Sequence, residues 1–206
     1  MPSDHEIAAK KRPDDFSKRM AEIRAKSAFT KIMDEVEARH PPTTWNYDVI
    51  VSDPGLPVGH RRMVAVYFST ADIDNGGFKQ YYMNCFGCLT VPAIEAYEKA
   101  GQTDMVKVMK IALKVSLNGG PISEKYEKET DIMAQFRGSI AETNFRLPLG
   151  FLEGVDFAGK NLEDLDTEFY ALKEKLPGAL DLPSGYPDGF ITWYYNKFPE
   201  EFVFPT

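Results

Sequence analysis

"YFSTADIDNGGFKQYYMN", Tyr67 to Asn84, is the stretch on which the fold turns. Apolar and aromatic residues recur at helical spacing on both sides of Gly76-Gly77. The spacing predicts one helix ending near Asp74 and a second from Phe78 to about Cys85. Asn75 and Gly76 both suit the left-handed backbone that ends a helix, and Gly77 leaves room for the next helix to start close by. Asp72 and Asn75 lie one turn apart before the break. Gln80 and Asn84 lie four apart after it and share a face. Two readings of these four residues stand side by side. They form a polar knot that fixes the angle between two helices, since buried amides require partners. Alternatively they line a pocket for a small polar ligand or substrate.

Working outward from the break, helical periodicity persists. On the N-terminal side, residues 1–13 read as a flexible end. Phe16, Met20, Ile23, Phe29, Ile32, Met33 and Val36 then predict a helix from Asp14 that Pro41-Pro42 ends. Residues 14–42 are thus an N-terminal helix, and 43–206 a helical domain. Residues 43–59 are rich in Pro and Gly and read as loop, with a short strand around Val49–Val51 as an alternative. Helix resumes near His60. Downstream, Thr90 is expected to cap a helix that stops at Gly101. Thr103 is expected to cap another, with Met105, Val108, Met109, Ala112 and Leu113 as its buried stripe. Ser123 opens a further helix, and 138–160 are irregular. "NLEDLDTEFYALKEKL" starts at Asn161 and places Leu162, Leu165, Phe169, Leu172 and Leu176 on one side. After a Pro/Gly loop, a last helix carries Phe190, Ile191, Trp193, Tyr194 and Phe198. No period-two run stands out. The expected fold is all-α, a single-domain bundle of short, steeply crossing helices.

Charge narrows the function. The net charge is −7, and residues 141–206, with five basic and twelve acidic groups, supply all of it. Phosphates repel such an end, so direct nucleic-acid binding is disfavoured and a basic partner is suited. No apolar run approaches the ~20 residues of a membrane span, and the N-terminus lacks the apolar core of a secretory signal. The expectation is a cytoplasmic protein with reduced thiols. "CFGC", Cys85 to Cys88, supplies two soft ligands where structural zinc takes four, and it ends a helix rather than opening one after a strand. Inert thiols are expected, with no metal and no cofactor. No hydrolase, zincin or phosphate-loop motif is present, so no catalytic residue is assigned and an enzyme is not favoured.

"DIDNGGFKQYYMN", "LDTEFYALKEKL" and "YYNKFPEEF" together resemble the DNA-mimic-protein family of small helical bacterial proteins. Its signature is an acid, two positions, then N-G-G-F-x-Q-aromatic-aromatic-x-N. That falls here on Asp72, Asn75, Gly76, Gly77, Phe78, Gln80, Tyr81, Tyr82 and Asn84, with Asp72 where the family usually has Glu. A later block falls on Leu165, Asp166, Phe169, Tyr170 and Leu172. The resemblance spans Met63 to Phe202, and the Pro/Gly loop from Leu176 to Phe190 looks like an insertion. It implies an all-helical homodimer. It also implies an acidic surface that imitates DNA and occupies the DNA-binding face of a transcription regulator. Glu163, Asp164, Asp166 and Glu168 form the densest acidic run and are the candidate partner-binding residues. They also fall at a helix start, where acids favour the dipole, and the sequence leaves both readings open. Other readings are the hinge pocket, with or without enzymatic activity, and an immunity-type toxin partner.

Overall fold

A computed structural model describes residues 27–84, 87–118, 147–157, 159–182 and 185–205. Among these the chain is helical and no strand occurs. Most of the expected helix from Asp14, and the one from Ser123, lie outside the described residues.

Helix α1 (Ala28–Arg39) is capped by Ser27, whose hydroxyl accepts from the Phe29 N–H at 3.2 Å. It buries Ile32 and Val36 and stops just before Pro41-Pro42, where a 3-10 turn begins. The segment read as loop or strand around Val49–Val51 is instead a short helix, α2 (Tyr47–Ser52). β-Branched residues favour strands only weakly against context. Here Asn46 caps the start, accepting from Asp48 N at 3.0 Å, and Ile50 and Val51 turn inward.

Helix α3 (Val58–Met83) is the spine. It packs against α1, α2 and most of the helices that follow. It begins directly after Pro57, slightly before the expected His60. The chain stays helical on both sides of one break at Gly76 and Gly77. Helix α4 (Gly87–Lys99) also starts earlier than expected. Thr90 is not its cap but a buried residue within it, and Pro92, which a start at Thr90 would have placed in the first turn, lies inside the helix. Gly101 (φ +70) closes it as expected: Gln102 N donates to Tyr97 O at 2.8 Å and Gly101 N to Glu98 O at 3.0 Å. That paired arrangement satisfies the last carbonyls and requires the left-handed residue. Thr103 is the first residue of α5 (Thr103–Asn118), not its cap. The expected stripe from Met105 to Leu113 is buried throughout.

Helix α6 (Leu162–Lys173) starts where expected. Asn161 Oδ1 accepts from Asp164 N at 3.0 Å, and Asp164 Oδ2 accepts from Asn161 N at 3.1 Å, a reciprocal box. Helix α7 (Asp188–Lys197) buries Phe190, Ile191 and Tyr194 and leads into a 3-10 turn, Pro199–Phe202. A buried ion pair holds that turn to α3. Arg62 Nη1 donates to Glu201 Oε1 at 2.7 Å, and the Tyr194 hydroxyl donates to Glu201 Oε2 at 2.7 Å. Arg62 also reaches Glu95 on α4 at 3.3 Å.

Candidate functional site

The break in α3 is built differently from the sequence expectation. Gly76 has an extended φ of −164°, which any residue adopts; Gly77 carries φ +73° with ψ −176°. That combination is essentially reserved for glycine. Gly77, not Asn75 or Gly76, is therefore the residue the turn requires. A Cβ at Gly77 would also stand 2.2 Å from Asp166 Oδ2, so the missing side chain admits a carboxylate from α6.

Asp166 uses that opening. Its Oδ1 accepts from the Phe78 N–H at 2.7 Å, capping the second half of α3 from another helix. One turn further along α6, the Tyr170 hydroxyl donates to the Ile73 carbonyl at 2.7 Å, on the other side of the break. Lys173 then pairs with Asp74 at 2.5 Å and lies over the Tyr170 ring. Positions 166, 170 and 173 share one face of α6 and splint the break. Leu165 and Phe169 form the buried face, with Phe169 edge-on to Phe78 at 5.6 Å. Burial pushes the Asp166 carboxyl above its ordinary value. The Phe78 N–H pulls it down, and Glu163 adds to the rise.

The polar knot forms from three of the four expected residues. Asp72 Oδ1 accepts from Asn84 Nδ2 at 2.8 Å and from Gln80 Nε2 at 3.3 Å. Asn75 is exposed and stands outside the knot. Asp72 Oδ2 is buried and has no hydrogen-bond partner among the described residues. Of the aromatic pair after the glycines, Tyr81 is fully buried and its hydroxyl lies 2.9 Å from both Ser69 and Thr90. This explains why Thr90 is buried rather than capping. Burial raises the Tyr81 and Tyr82 hydroxyls far above their ordinary value.

The acidic run divides by task. Glu163 and Asp164 are exposed; Asp164 serves the capping box. Glu168 is half-buried and accepts from Lys160. Asp166 is half-buried at the break. Sequence reasoning grouped these four by charge and missed the splint. The available signal was the four-residue step from Asp166 to Tyr170, off the Leu165–Phe169–Leu172 stripe.

Beside the splint, α5 and α6 enclose an open groove of about 260 Å³, lined by Asp104, Lys107, Val108, Lys160, Glu168 and Leu172 among others. Cys88 is a half-buried thiol, and Cys85 lies outside the described residues. Among the described residues, no group of three His, Cys, Asp or Glu side chains could hold a metal ion, and no helix is long and apolar enough to cross a membrane.

Residues 54–183 match the family described as DMP19-like protein, well over half of the chain. The chain belongs to the DMP19-like family. The DMP19-like segment contains the whole of α3, the break, and the helix that splints it. It begins before Met63 and ends before Tyr194, so the "YYNKFPEEF" block falls outside the match. Comparison with curated proteins and with solved structures gives no match.

The splint carries a prediction. Asp166→Ala leaves the Phe78 N–H without its acceptor and is expected to cost about 1–3 kcal/mol. Asp166→Asn keeps an acceptor oxygen and is expected to cost less. The raised carboxyl value means that the folded state binds this proton more tightly than the unfolded chain does. Its contribution to stability therefore grows as pH falls from the folded value towards the unfolded value near 3.8. That increment is expected to be absent from Asp166→Asn. Urea melts of the three proteins across pH 4–7 check both points, and equal midpoints for the Ala and Asn variants would contradict the capping role.

Proposed function

We propose that this DMP19-like protein is a non-enzymatic, acidic interaction protein. In this reading it acts as a homodimer and imitates DNA towards a basic DNA-binding partner such as a transcription regulator. Family membership supports the reading, and one surface observation carries it. Glu153, Asp156, Glu163 and Asp164 are all exposed and follow one another within a short stretch of chain. The sole lysine among them, Lys160, is drawn to Glu168.

Other lysines nearby make contacts of their own, and Lys110 pairs with Glu98 at 2.7 Å. Lys110 lies over Phe151 at 4.7 Å, and Lys114 lies over Phe157 at 5.2 Å and donates to the Val155 carbonyl. These contacts hold the 151–157 loop to α5 while its carboxylates point to solvent. A DNA-like surface requires closely spaced, exposed carboxylates, since a duplex presents about one negative charge per 1.7 Å of its axis. Two copies of the chain would double the −7 of one. Within the acidic run, Glu163, Asp164 and Glu168 would meet the partner, while Asp166 holds α6 in place.

Charge-steered association predicts an on-rate that falls about tenfold or more between low and high salt. The variant Glu163→Gln/Asp164→Asn/Glu168→Gln is expected to weaken binding while the melting temperature stays nearly unchanged. Capture of a partner from lysate, then competition with that partner's own DNA, checks the reading. A partner that holds DNA and this protein at once contradicts mimicry, as does binding indifferent to salt and to the triple variant.

A second reading, a small-ligand site at the knot, has one atom in its favour: the buried, unpartnered Asp72 Oδ2. An amine or guanidinium compound that raises the melting temperature of the wild type, and not of Asp72→Asn, would move the assignment there.

A further inference from the structure

His60, near the start of α3, is fully buried. Its Nε2 lies 2.5 Å from Glu35 Oε2 on α1. Its Nδ1 is also buried and has no hydrogen-bond partner among the described residues. The C-terminal segment covers that ring. The Phe202 and Phe204 rings both lie 5.5 Å from the imidazole. Phe202 sits directly on the backbone next to His60, since a Cβ at Gly59 would stand 2.8 Å from its ring.

We propose that His60 is an acid-sensitive latch for the C-terminal segment: a second proton on its ring releases Pro199–Phe204 from α3. With Nε2–H directed at Glu35, the neutral ring places only a lone pair at the buried Nδ1. Protonation would put an N–H donor and a positive charge there, in a pocket walled by two phenyl rings. A buried donor without an acceptor is costly, and lifting the segment would let water reach Nδ1. The released state therefore binds the proton more tightly than the latched state does. Linkage then makes release more favourable as pH falls below the ordinary histidine value.

On α1, Glu35 favours the charged ring and Lys31 opposes it, while burial pushes the ring value down from 6.5. On the C-terminal turn, Glu201 is held by Arg62 and Tyr194, and Glu200 lies beside Lys99. On α3 itself, Arg61 reaches the Val51 carbonyl. Asp188 and Lys197 stand at the two ends of α7. The latch joins His60, inside the family segment, to residues beyond it, and it is independent of the mimicry reading.

The test is hydrogen exchange of the amides between Glu200 and Phe204 in the full chain, corrected for intrinsic rates, from pH 7.5 to 5. In the wild type, opening of these amides is expected to rise by up to about tenfold per pH unit below 6.5. In His60→Gln, whose amide can still donate to Glu35, it is expected to be flat. A flat wild-type profile, or the same rise in both proteins, overturns the latch. Should His60→Gln fail to fold, NMR titration of the wild-type His60 ring decides. A midpoint below 6.5 with the segment protected supports the latch, and one at or above 6.5 overturns it.

Discussion

Gly77→Ala is expected to destabilise the protein by about 2–6 kcal/mol, from two separate costs. The backbone at Gly77, φ +73° and ψ −176°, is strained for any residue with a Cβ, which costs about 1–3 kcal/mol. The new methyl would also occupy the place of the Asp166 carboxylate, 2.2 Å from Oδ2. Asp166 would have to withdraw and leave the Phe78 N–H unpaired, at about another 1–3 kcal/mol. Gly76→Ala is the natural control. Its φ of −164° is ordinary extended backbone, and its Cβ would meet the Gln80 side chain, whose amide has to swing aside while the Gln80 Cβ, 2.8 Å away, needs a small shift of the helix. That is expected to cost about 1 kcal/mol, the scale of an off-rotamer side chain. Urea melts of both variants give the order directly. A Gly76→Ala loss equal to or larger than the Gly77→Ala loss would mean that the turn does not depend on Gly77. Combining Gly77→Ala with Asp166→Ala is expected to cost less than the sum of the single losses, because both remove the same cap.

Glu201→Ala is expected to cost about 3 kcal/mol, the low end for removing one partner of a buried ion pair. Glu201 is 7% exposed and joins Tyr194 on α7 to Arg62, far away in sequence on α3. Without it, Arg62 would be left with the longer contacts to Glu95 and to the Tyr194 hydroxyl, and that hydroxyl would lose its acceptor. Burial, and then the neighbouring Glu201, hold the Tyr194 hydroxyl far above its ordinary value, so it stays protonated and donates throughout the physiological range. Glu201→Gln keeps one acceptor for either donor and is expected to lose less. Thermal melts of the two variants, with Glu200→Ala as the exposed comparison, check this. Equal losses at Glu200 and Glu201 would show that burial of the pair has no consequence.

Much of the architecture was legible in the chain because helices with one apolar face announce themselves. The stripe on α5 was read at positions that are all buried. Those on α6 and α7 were read at positions of which Leu165, Phe169, Leu176, Phe190, Ile191 and Tyr194 are buried and the others half-buried. Gly101 and Asn161 mark the end of α4 and the start of α6 for local reasons. The misreadings share a different cause. Val49–Val51 read as loop, with a strand as the alternative, because Pro and Gly follow closely; the Asn46 cap and the packing of Ile50 and Val51 make it a helix. Thr90 looked like a cap because caps are local, but its hydroxyl is bound by Tyr81 from the preceding helix. The glycine break was located correctly and assigned to the wrong glycine. Nothing local distinguishes Gly76 from Gly77; what does is the carboxylate of Asp166, which binds Phe78 from 88 residues further along the chain. The same distance hid the division of labour among the four acids, which charge alone could not reveal.

The family match ends at residue 183, but the packing does not. Helix α1 precedes the matched segment and α7 follows it, and the two are fastened to each other: Ala28 N donates to Thr192 Oγ1 at 3.1 Å, and Lys31 donates to the Tyr195 hydroxyl at 2.6 Å. Together they form a collar around the N-terminal half of α3. It stacks Phe29 on Tyr67 at 3.8 Å and places Tyr194 within reach of Arg62. Kinship and foldability therefore have different borders in this chain. A fragment trimmed to residues 54–183 would keep the break, its splint and the acids of α6, yet would bare the flank of α3 that the collar covers. Variants made to study the acidic surface belong in a chain that keeps both α1 and α7.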